Sequence, residues 1–416
     1  MAKSSPPRIA VLGAGPIGLE AALYARTLEL PVTVYERGRV AEHVWRWGHV
    51  RLFSPFGMNS TSLGRAAIRA DAPRHEFPAD GDCVTGRDYV AAYLEPLARC
   101  GLLRDAVRTE TQVLAVSRRG MLKEEAVGDS RRGQAPFRLL LRDVKKGTER
   151  SEEADIVLDC TGTYGQHRWL GDGGIPAAGE LHAEAHICYG LDDVLGERKG
   201  HYANKVVAVV GGGFSAATTV CNLATLAQDH PETWVVWLTR GPNSQPLRRL
   251  PNDPLKERDR LAARANSLAT RGDGVVEFHH HTLIDAVDFL GPDRGFRLHA
   301  RVAGRERSWD VDRLIANVGY SPDTSLYREL QIHECYASLG PMGVAAALLK
   351  HAQADCLSIP ATGPATLRNP EPNYFILGAK SFGRNSNFLL RVGFEQVRDV
   401  FTLITGQPEL DLYRKR

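Results

Sequence analysis

Two stretches of the chain share one pattern of apolar and small residues. The first reads IAVLGAGPIGLEAALYA at 9–25, and the second reads VVAVVGGGFSAATTV at 206–220. In each, an apolar run breaks at glycines, and small and apolar residues follow at helical spacing. This order is typical of a strand, a tight turn and a helix. The sequence therefore predicts the same β-turn-α unit twice.

The rest of the apolar pattern completes the predicted elements. The two units have helices at about 16–29 and 214–229, followed by strands at 32–37 and 234–240. Further helices are predicted at 86–100, at 254–269 with Asp253 as its cap, and at 387–405. Further strands are predicted at 111–117, 137–142, 154–159, 275–279, 284–290, 295–302, 311–316 and 373–378. The polar, turn-rich residues 118–136 predict a surface excursion whose basic cluster RRGQ is solvated.

The first glycine turn has the spacing Gly13-x-Gly15-x-x-Gly18. The first glycine permits the turn, the second lets a pyrophosphate approach the backbone, and the third lets helix and strand pack closely. Glu36 ends the next strand, where an acid accepts hydrogen bonds from ribose hydroxyls and repels a ribose phosphate. FAD or NAD is therefore favoured over NADP. The candidate cofactor-binding residues of this unit are Gly13, Gly15, Pro16, Gly18, Glu36 and Arg37.

The second glycine turn repeats this design as Gly211-x-Gly213-x-x-Ala216, but Arg240 follows its second strand. A guanidinium matches a phosphate with two parallel hydrogen bonds, so this unit is predicted to prefer NADP over NAD. Its candidate cofactor-binding residues are Gly211, Gly213, Ser215, Ala216 and Arg240.

The charges after the two strands assign different cofactors to the two units. FAD, a bound redox carrier, belongs to the unit that ends in Glu36, and NADPH, a soluble electron donor, to the unit that ends in Arg240. For the loop residues Arg248 and Arg249 the sequence leaves two interpretations open: they contribute to phosphate binding, or they are merely solvated.

Composition argues against several other classes of protein. The formal net charge of +3 is too small to favour nucleic-acid or membrane binding. Seven scattered cysteines without a C-x-x-C pair argue against a disulfide scaffold, a zinc ribbon and a dithiol redox centre. The start has no apolar core of signal-peptide length, no apolar run is long enough for a membrane span, and unpaired cysteines fit the cytoplasm. The histidines of FHHHTL (278–283) alternate faces on a strand, so no metal is expected.

Two more segments have the form of an apolar strand that ends in a small-residue turn: DIVLDCTGTYG at 155–165 and RLIANVGYSPD at 313–323. With the two glycine fingerprints, they make the chain resemble the flavoprotein oxidoreductases with two dinucleotide-binding domains. It is most similar to the flavin-containing, N-hydroxylating and Baeyer–Villiger-type monooxygenases. The resemblance implies an α/β fold with two Rossmann-like domains, in which an NADPH domain (166–312) is inserted in a split FAD domain (1–165 and 313–416).

The crossover segments depart from the plain Ala-Thr-Gly pattern of this superfamily. Cys160 replaces the alanine of the first, and Asn317-Val318 replaces the Ala-Thr of the second, while the turn glycines Gly162 and Gly319 remain. The hydroxylase signature F-x-G-x-x-x-H-x-x-x-Y/W is out of spacing in GELHAEAHICYGLDDV (179–194).

The resemblance also implies where the flavin is bound. Trp45, Trp47 and the segment RLFSPFGMNSTS (51–62) wrap it, and Asn59 is the candidate catalytic residue near its reactive edge, although the glycine pair usual before Trp45 is absent. Further cofactor contacts are implied at Val113, Gly162, Gly378 and Asn387.

The C-terminal strand, turn and helix fit the pyrimidine end of a flavin. Ala379 and Lys380 stand where many relatives have an aspartate, and Lys380 or Arg384 adds positive charge there, or Lys380 is a surface residue. Gly393 inside the predicted helix costs about 1 kcal/mol against alanine, which indicates close packing or cofactor approach.

The leading functional hypothesis is an NADPH-dependent FAD monooxygenase that oxygenates a small molecule through a flavin hydroperoxide. Its expected partners are a small-molecule substrate and O2, and a homodimer is left open. The alternative is an FAD-dependent NADPH reductase or dehydrogenase that passes electrons to a small-molecule or protein acceptor without oxygen insertion. A flavin-binding sensor is a third hypothesis.

Overall fold

The apolar runs of the sequence form four sheets in the computed structural model, which describes residues 6–271, 274–351, 355–359 and 362–414. The strands are β1 (Ile9–Leu12), β2 (Val32–Tyr35), β3 (Val107–Arg108), β4 (Thr111–Arg118), β5 (Phe137–Asp143), β6 (Glu149–Ala154), β7 (Ile156–Asp159), β8 (Val206–Val210), β9 (Trp234–Leu238), β10 (Val276–His279), β11 (Thr282–Gly291), β12 (Gly295–Val302), β13 (Arg305–Val311), β14 (Arg313–Ala316) and β15 (Tyr374–Ile376). The α-helices are α1 (Pro16–Thr27), α2 (Glu42–Arg46), α3 (Phe56–Asn59), α4 (Ser62–Asp71), α5 (Gly86–Tyr89), α6 (Glu95–Arg99), α7 (Ser130–Gln134), α8 (Glu180–Ala183), α9 (Lys199–Tyr202), α10 (Phe214–Asp229), α11 (Lys256–Thr270), α12 (Met342–Leu349) and α13 (Leu390–Thr405).

The first of two units comprises Met1–Gln166 and Ser321–Arg416. Its main sheet is parallel and has the strand order β15-β7-β1-β2-β3. In the central strand, Ile9 pairs with Val32 on one side and with Ile156 on the other. Because β1 and β7 are buried along their whole length, their sequences are continuous apolar runs rather than alternating ones. The antiparallel sheet β4-β5-β6 belongs to the same unit.

The second unit, His167–Tyr320, contains the parallel sheet β10-β9-β8-β14 and the antiparallel sheet β11-β12-β13. Val207 of β8 pairs with Val235 and with Arg313. Because β14 pairs with β8, residues 313–320 belong to this unit, whereas the boundary predicted from the sequence lay before residue 313. The predicted α/β class, with one parallel sheet for each glycine turn, is confirmed.

The polar sequence predicted that residues 118–136 are solvated, but two of their arginines are buried in the structure. Arg118 and Arg132 are almost completely buried, and both guanidinium groups contact the buried carboxylate of Glu371. The distance from Glu371 Oε1 to Arg118 Nε is 2.6 Å, and the distance from Oε2 to Arg132 Nη2 is 2.8 Å. Most of the segment is exposed, as a surface excursion should be, but the prediction of a solvated basic cluster was wrong for Arg132, because its partner lies 239 residues further along the chain.

The predicted helix at 86–100 contains a π-helical turn at Val90–Leu94, between α5 and α6. Pro96 has no N–H group, so the carbonyl of Ala92, one turn earlier, loses its helical donor. His75 Nε2 lies 2.8 Å from the Ala92 oxygen and takes the place of that donor.

Two predicted helices begin later in the structure than in the sequence pattern. α11 begins at Lys256, so its N-cap residue is Leu255 rather than the predicted Asp253. The Asp253 carboxylate accepts a hydrogen bond from the Leu255 N–H at 2.8 Å and pairs with Arg258 at 2.7 Å. α13 begins at Leu390, so Asn387 precedes the helix rather than starting it.

Candidate functional site

The first glycine turn joins β1 to α1 and leaves an open backbone surface at Gly15. Gly13 has a φ of +95°, and a Cβ there would lie 2.9 Å from the Cys160 carbonyl oxygen. A Cβ on Gly18 would lie 1.9 Å from the Gly13 carbonyl oxygen, so the close approach of strand and helix requires glycine. At Gly15, the N-cap of α1, a Cβ would meet no described atom within 4 Å. The turn can therefore hold a phosphate at the helix N-terminus.

Glu36, directly after β2, holds this turn against the sheet. Its Oε2 accepts a hydrogen bond from the Ala14 N–H at 2.8 Å, and its Oε1 accepts one from the Gly38 N–H at 2.8 Å. Carboxylate oxygens have several lone pairs, so both atoms can still accept bonds from ribose hydroxyls. Pro16 is the first residue of α1, where a missing N–H breaks no helical bond. Arg37 is exposed.

Two indoles lie in the segment that the resemblance assigns to a flavin. Trp45 and Trp47 are half-buried, and within the described ranges their buried Nε1 atoms have no hydrogen-bond partner. The Arg39 guanidinium lies 4.7 Å from the centre of the Trp45 ring. A buried indole N–H without an acceptor is unfavourable, so this segment fits a ligand with polar acceptor atoms.

Burial lowers the pKa of His43, a neighbour of Trp45 in the sequence, to about 4, which keeps this side chain neutral at pH 7.

Asn59 is buried, and its side chain is used inside the first unit. Its Oδ1 accepts a hydrogen bond from the Ser54 hydroxyl at 2.8 Å, and its Nδ2 donates to the Ser54 carbonyl at 3.0 Å. The Tyr89 hydroxyl donates to the Asn59 carbonyl at 2.6 Å. These bonds give Asn59 a role in shaping the segment at 51–62. Val113 is half-buried on β4, where it pairs with Leu141.

The turn after β7 carries a buried ion pair that sequence reasoning missed. Lys380 Nζ lies 2.6 Å from Asp159 Oδ2, and the two side chains are 1% and 0% exposed. The same ammonium donates to Thr161 Oγ1 at 3.0 Å, and the Thr161 hydroxyl donates to Asp159 Oδ1 at 2.7 Å. Lys380 is therefore not a surface residue. The available signal was the acid that ends the apolar run IVLD. Gly162, in the same turn, has a φ of +69° and a Cβ position that meets no described atom within 4 Å.

Two glycines bring the C-terminal segment close to α1. Gly378 has a φ of +70°, and its N–H donates to Gln396 Oε1 at 2.8 Å. A Cβ on Gly378 would lie 3.1 Å from Ile17 Cγ1, and one on Gly393 would lie 2.4 Å from Ile17 Cδ1. Of the two explanations for Gly393, close packing is therefore the one observed. Asn387 is half-buried just before α13.

The second glycine turn joins β8 to α10 in the second unit. Gly211 has a φ of +144°, and a Cβ there would lie 2.3 Å from the Asn317 carbonyl oxygen. Ala216 is fully buried, and Ser215 is exposed. Gly213 is the N-cap of α10, and a Cβ on it would meet nothing within 4 Å in the part of the chain that is described. This turn, like the first, leaves room for a phosphate.

The residues after β9 present a positive charge and a buried hydroxyl. Arg240 is exposed and has no ion pair within the described ranges. Thr239, which sequence reasoning missed, is buried, and its Oγ1 has no hydrogen-bond partner among the described residues. Arg249 makes two 2.9 Å hydrogen bonds to Asp259, so its charge is already paired. Arg248 is exposed.

The histidine-containing segments make structural contacts. The Tyr189 hydroxyl donates to the buried Glu180 at 2.8 Å, and His279 Nε2 lies 2.6 Å from Glu277 Oε1. Over the described ranges, no three potential metal-ligating side chains form a cluster. No helix in the same ranges has both the length and the apolarity to cross a membrane.

Comparison of sequences gives relatives among plant flavin-containing monooxygenases. The chain is 25% identical over 255 residues to "Flavin-containing monooxygenase FMO GS-OX-like 3" and to "Flavin-containing monooxygenase FMO GS-OX-like 5", both of Arabidopsis thaliana. Each alignment covers 54% of this chain and 51% of the relative, so the chain spans about half the length of the curated relatives it matches. No protein-family model matches the chain.

Solved structures match over almost the whole chain. The bacillithiol disulfide reductase Bdr (YpdA) from Bacillus cereus superposes with a TM-score of 0.68 at 16% identity, covering 97% of this chain and 100% of that chain. The FAD-bound cadaverine monooxygenase DfoA from Erwinia amylovora superposes with a TM-score of 0.65 at 15% identity, covering 99% and 97%. The fold is that of the flavoprotein oxidoreductases with two dinucleotide-binding domains. The Kutzneria ornithine N-hydroxylase KtzI has the same fold, with a TM-score of 0.61 at 15% identity and coverage of 97% and 99%. These relatives and structures confirm the resemblance to flavoprotein oxidoreductases, and among them to flavin-containing and N-hydroxylating monooxygenases, that was drawn from the sequence motifs.

Proposed function

We propose that the chain is an FAD- and NADPH-dependent oxidoreductase that oxygenates a small molecule with O2. The observation that carries the proposal is the difference between the two glycine turns. Glu36, after β2, closes the first turn with a carboxylate, whereas an exposed guanidinium, Arg240, lies after β9 in the second unit. A carboxylate accepts ribose hydroxyls and repels a ribose phosphate, while a guanidinium binds one, so the two turns suit different dinucleotides.

The residues of the first unit fit FAD. The open backbone at Gly15 accepts a pyrophosphate, Glu36 keeps lone pairs for ribose hydroxyls, and the Trp45 indole N–H has no acceptor within the described residues. A flavin held by these residues would supply the redox chemistry that links NADPH to O2. The protein's own part is to bind the flavin in one orientation and to keep bulk water from the reacting ring.

The residues of the second unit fit NADPH. Gly213 leaves the N-terminus of α10 open to phosphate oxygens. Arg240 supplies a charge for the 2′-phosphate, and the neighbouring Thr239 hydroxyl is buried with its hydrogen-bonding capacity unused by the described residues. Both side chains stand at the end of β9, where the ribose of a dinucleotide lies in this fold.

Oxygenation is favoured over electron transfer to an acceptor by the sequence relatives, which are flavin-containing monooxygenases. The described cysteines form no disulfide bond with one another and the sequence has no C-x-x-C pair, so a dithiol relay lacks its adjacent thiols. The alternative is an NADPH reductase or dehydrogenase without oxygen insertion. The superposition on a disulfide reductase with a TM-score of 0.68 supports that alternative.

The test starts from the purified chain loaded with FAD. NADPH is added without oxygen, flavin bleaching is followed by absorbance, and O2 is then admitted in a stopped-flow instrument. A transient spectrum that matches neither oxidised nor reduced flavin supports the oxygenase. Direct return to the oxidised spectrum, with rapid turnover on a dye acceptor, supports the reductase. A flavin that NADPH does not bleach contradicts both.

A matched variant checks that the first glycine turn holds the flavin. In Gly15→Leu a side chain fills the phosphate position, yet its Cβ meets no described atom within 4 Å, so folding should be unaffected. We expect this variant to purify without flavin and with an unchanged melting temperature. Full flavin occupancy in Gly15→Leu would contradict the assignment of the first turn.

A further inference from the structure

Trp237 of β9 is fully buried behind the second glycine turn. Its indole Nε1 donates a hydrogen bond to the Gly211 carbonyl oxygen at 2.8 Å. Phe278 of β10 packs against the ring at 5.0 Å between ring centres, with an interplanar angle of 60°. The packing fixes the ring, and the ring's N–H in turn fixes the backbone of the turn.

The two glycine turns are held by different groups. Both share a backbone bond from the first glycine to the neighbouring strand, 2.8 Å for Gly13 and 3.0 Å for Gly211. In the first turn Glu36 adds a bond from the Ala14 N–H. In the second turn Thr239 directly follows the strand, and its hydroxyl makes no hydrogen bond among the described residues, so it adds no bond to a backbone N–H. The second turn therefore needs another restraint. The Trp237 indole supplies one by donating to a backbone carbonyl, whereas Glu36 accepts from a backbone N–H in the first turn.

The bond to Trp237 sets the direction of a whole peptide plane. The Gly211 carbonyl and the Gly212 N–H belong to one trans peptide group, in which they point in opposite directions. Because the carbonyl points to the buried indole, the N–H points away from it, and Gly212 is exposed. Three consecutive glycines have little conformational preference of their own, so the restraint has to come from outside the turn.

We propose that Trp237 is the positioning residue of the second dinucleotide turn: by binding the Gly211 carbonyl, it aims the Gly212 N–H at the phosphates of the ligand. The identity of that ligand as NADPH rests on the proposed function. Trp237 restrains the second turn as the carboxylate of Glu36 restrains the first. Because the indole lies within β9, the residues after β9 remain available for a cation.

The test is Trp237→Phe, which keeps an aromatic ring in the core but removes the N–H donor. We expect the Kd for NADP⁺ of the FAD-loaded protein, measured by isothermal titration calorimetry, to rise about tenfold. Flavin occupancy and the flavin spectrum should not change. The matched control is Trp234→Phe on the same strand, where the ring is 40% exposed and the turn is not contacted. This control should bind NADP⁺ like the parent.

An unchanged Kd in a folded Trp237→Phe protein would overturn the proposal, as would an equal loss in Trp234→Phe. If Trp237→Phe does not fold, the benzothienyl analogue of tryptophan, placed at position 237 alone, keeps the ring shape and lacks the N–H. The same Kd criteria then apply to that protein. A parent protein that binds no NADP⁺ contradicts the proposed function instead. In that case crystal structures of the parent and of the variant test the role of Trp237. If the Gly211–Gly212 peptide keeps its direction in the variant that lacks the N–H donor, the proposal is wrong. If the peptide has rotated, the proposal is supported.

Discussion

Lys380 and Asp159 form an ion pair inside the first unit, with 2.6 Å between Nζ and Oδ2 and almost no exposure of either side chain. The Tyr374 hydroxyl donates a second hydrogen bond to the same oxygen at 2.9 Å. The pair joins the ends of β7 and β15, neighbouring strands that come from the two separate parts of this unit. Since moving both charges out of water costs much of what their attraction returns, the pair specifies geometry more than it adds net stability.

Lys380→Met should lower the free energy of unfolding by about 3–5 kcal/mol, because it leaves the carboxylate of Asp159 buried without its cation. The double variant Lys380→Met with Asp159→Asn should recover much of that loss, since no charge is then buried alone. Urea denaturation followed by circular dichroism measures both. A single variant as stable as the parent would show that the ion pair is not formed in solution.

Glu371→Gln should destabilise the first unit by at least about 3 kcal/mol, because Arg118 and Arg132 would share a neutral partner in a buried place. Amide hydrogen exchange of residues 119–136 should become faster than in the parent. The control is Glu149→Gln, which breaks an exposed pair with Arg142 and should cost less than about 1 kcal/mol. Equal effects of the two variants would argue against a buried triad.

Arg240→Ala should raise the KM for NADPH by about 10- to 100-fold, because a charge-assisted contact to the 2′-phosphate is lost. The KM for NADH, which lacks that phosphate, should change little. Arg249→Ala is the control, since its guanidinium is already bonded to Asp259. Steady-state kinetics with both nucleotides measures the effect, and equal changes for NADPH and NADH would remove the cofactor assignment.

Glu20 should make stability depend on pH. It is fully buried in α1, with Thr61 Oγ1 donating to it at 2.9 Å, and burial raises the pKa of its carboxyl from 4.5 to about 7. The folded state therefore holds the proton more tightly than the unfolded state. Its stabilising contribution is complete below about pH 4.5 and is lost as the pH rises through about 7, by an amount on the order of 3 kcal/mol.

The variant Glu20→Gln tests this pH dependence, because the amide keeps the hydrogen bond from Thr61 and cannot ionise. We expect the parent to lose stability between pH 5 and pH 8 by more than the variant does, as measured by urea denaturation at both values. Parallel pH profiles for the two proteins would show that Glu20 is not the titrating group.

Sequence patterns predicted those features that depend on neighbours along the chain. The strands and the glycine turns are of this kind. An apolar run specifies a strand by itself, and Gly18 is required by its contact with Gly13, only five residues away. The buried charges are not, since the partner of Lys380 is 221 residues distant and that of Arg132 is 239 residues distant. Without the position of that distant partner, the sequence pattern predicts a surface location for such a lysine or arginine.

The order in which the two units are interleaved has a consequence for synthesis on the ribosome. Every strand of the second unit has been translated by Ala316, so that unit can close its sheets while the rest of the polypeptide is still being made. The first unit has to wait for β15, some 60 residues later (316 to 374), before the outer edge of β7 is covered. Until then, a nascent polypeptide presents one completed second unit and one sheet with an unpaired, apolar edge, which is the form that chaperones recognise.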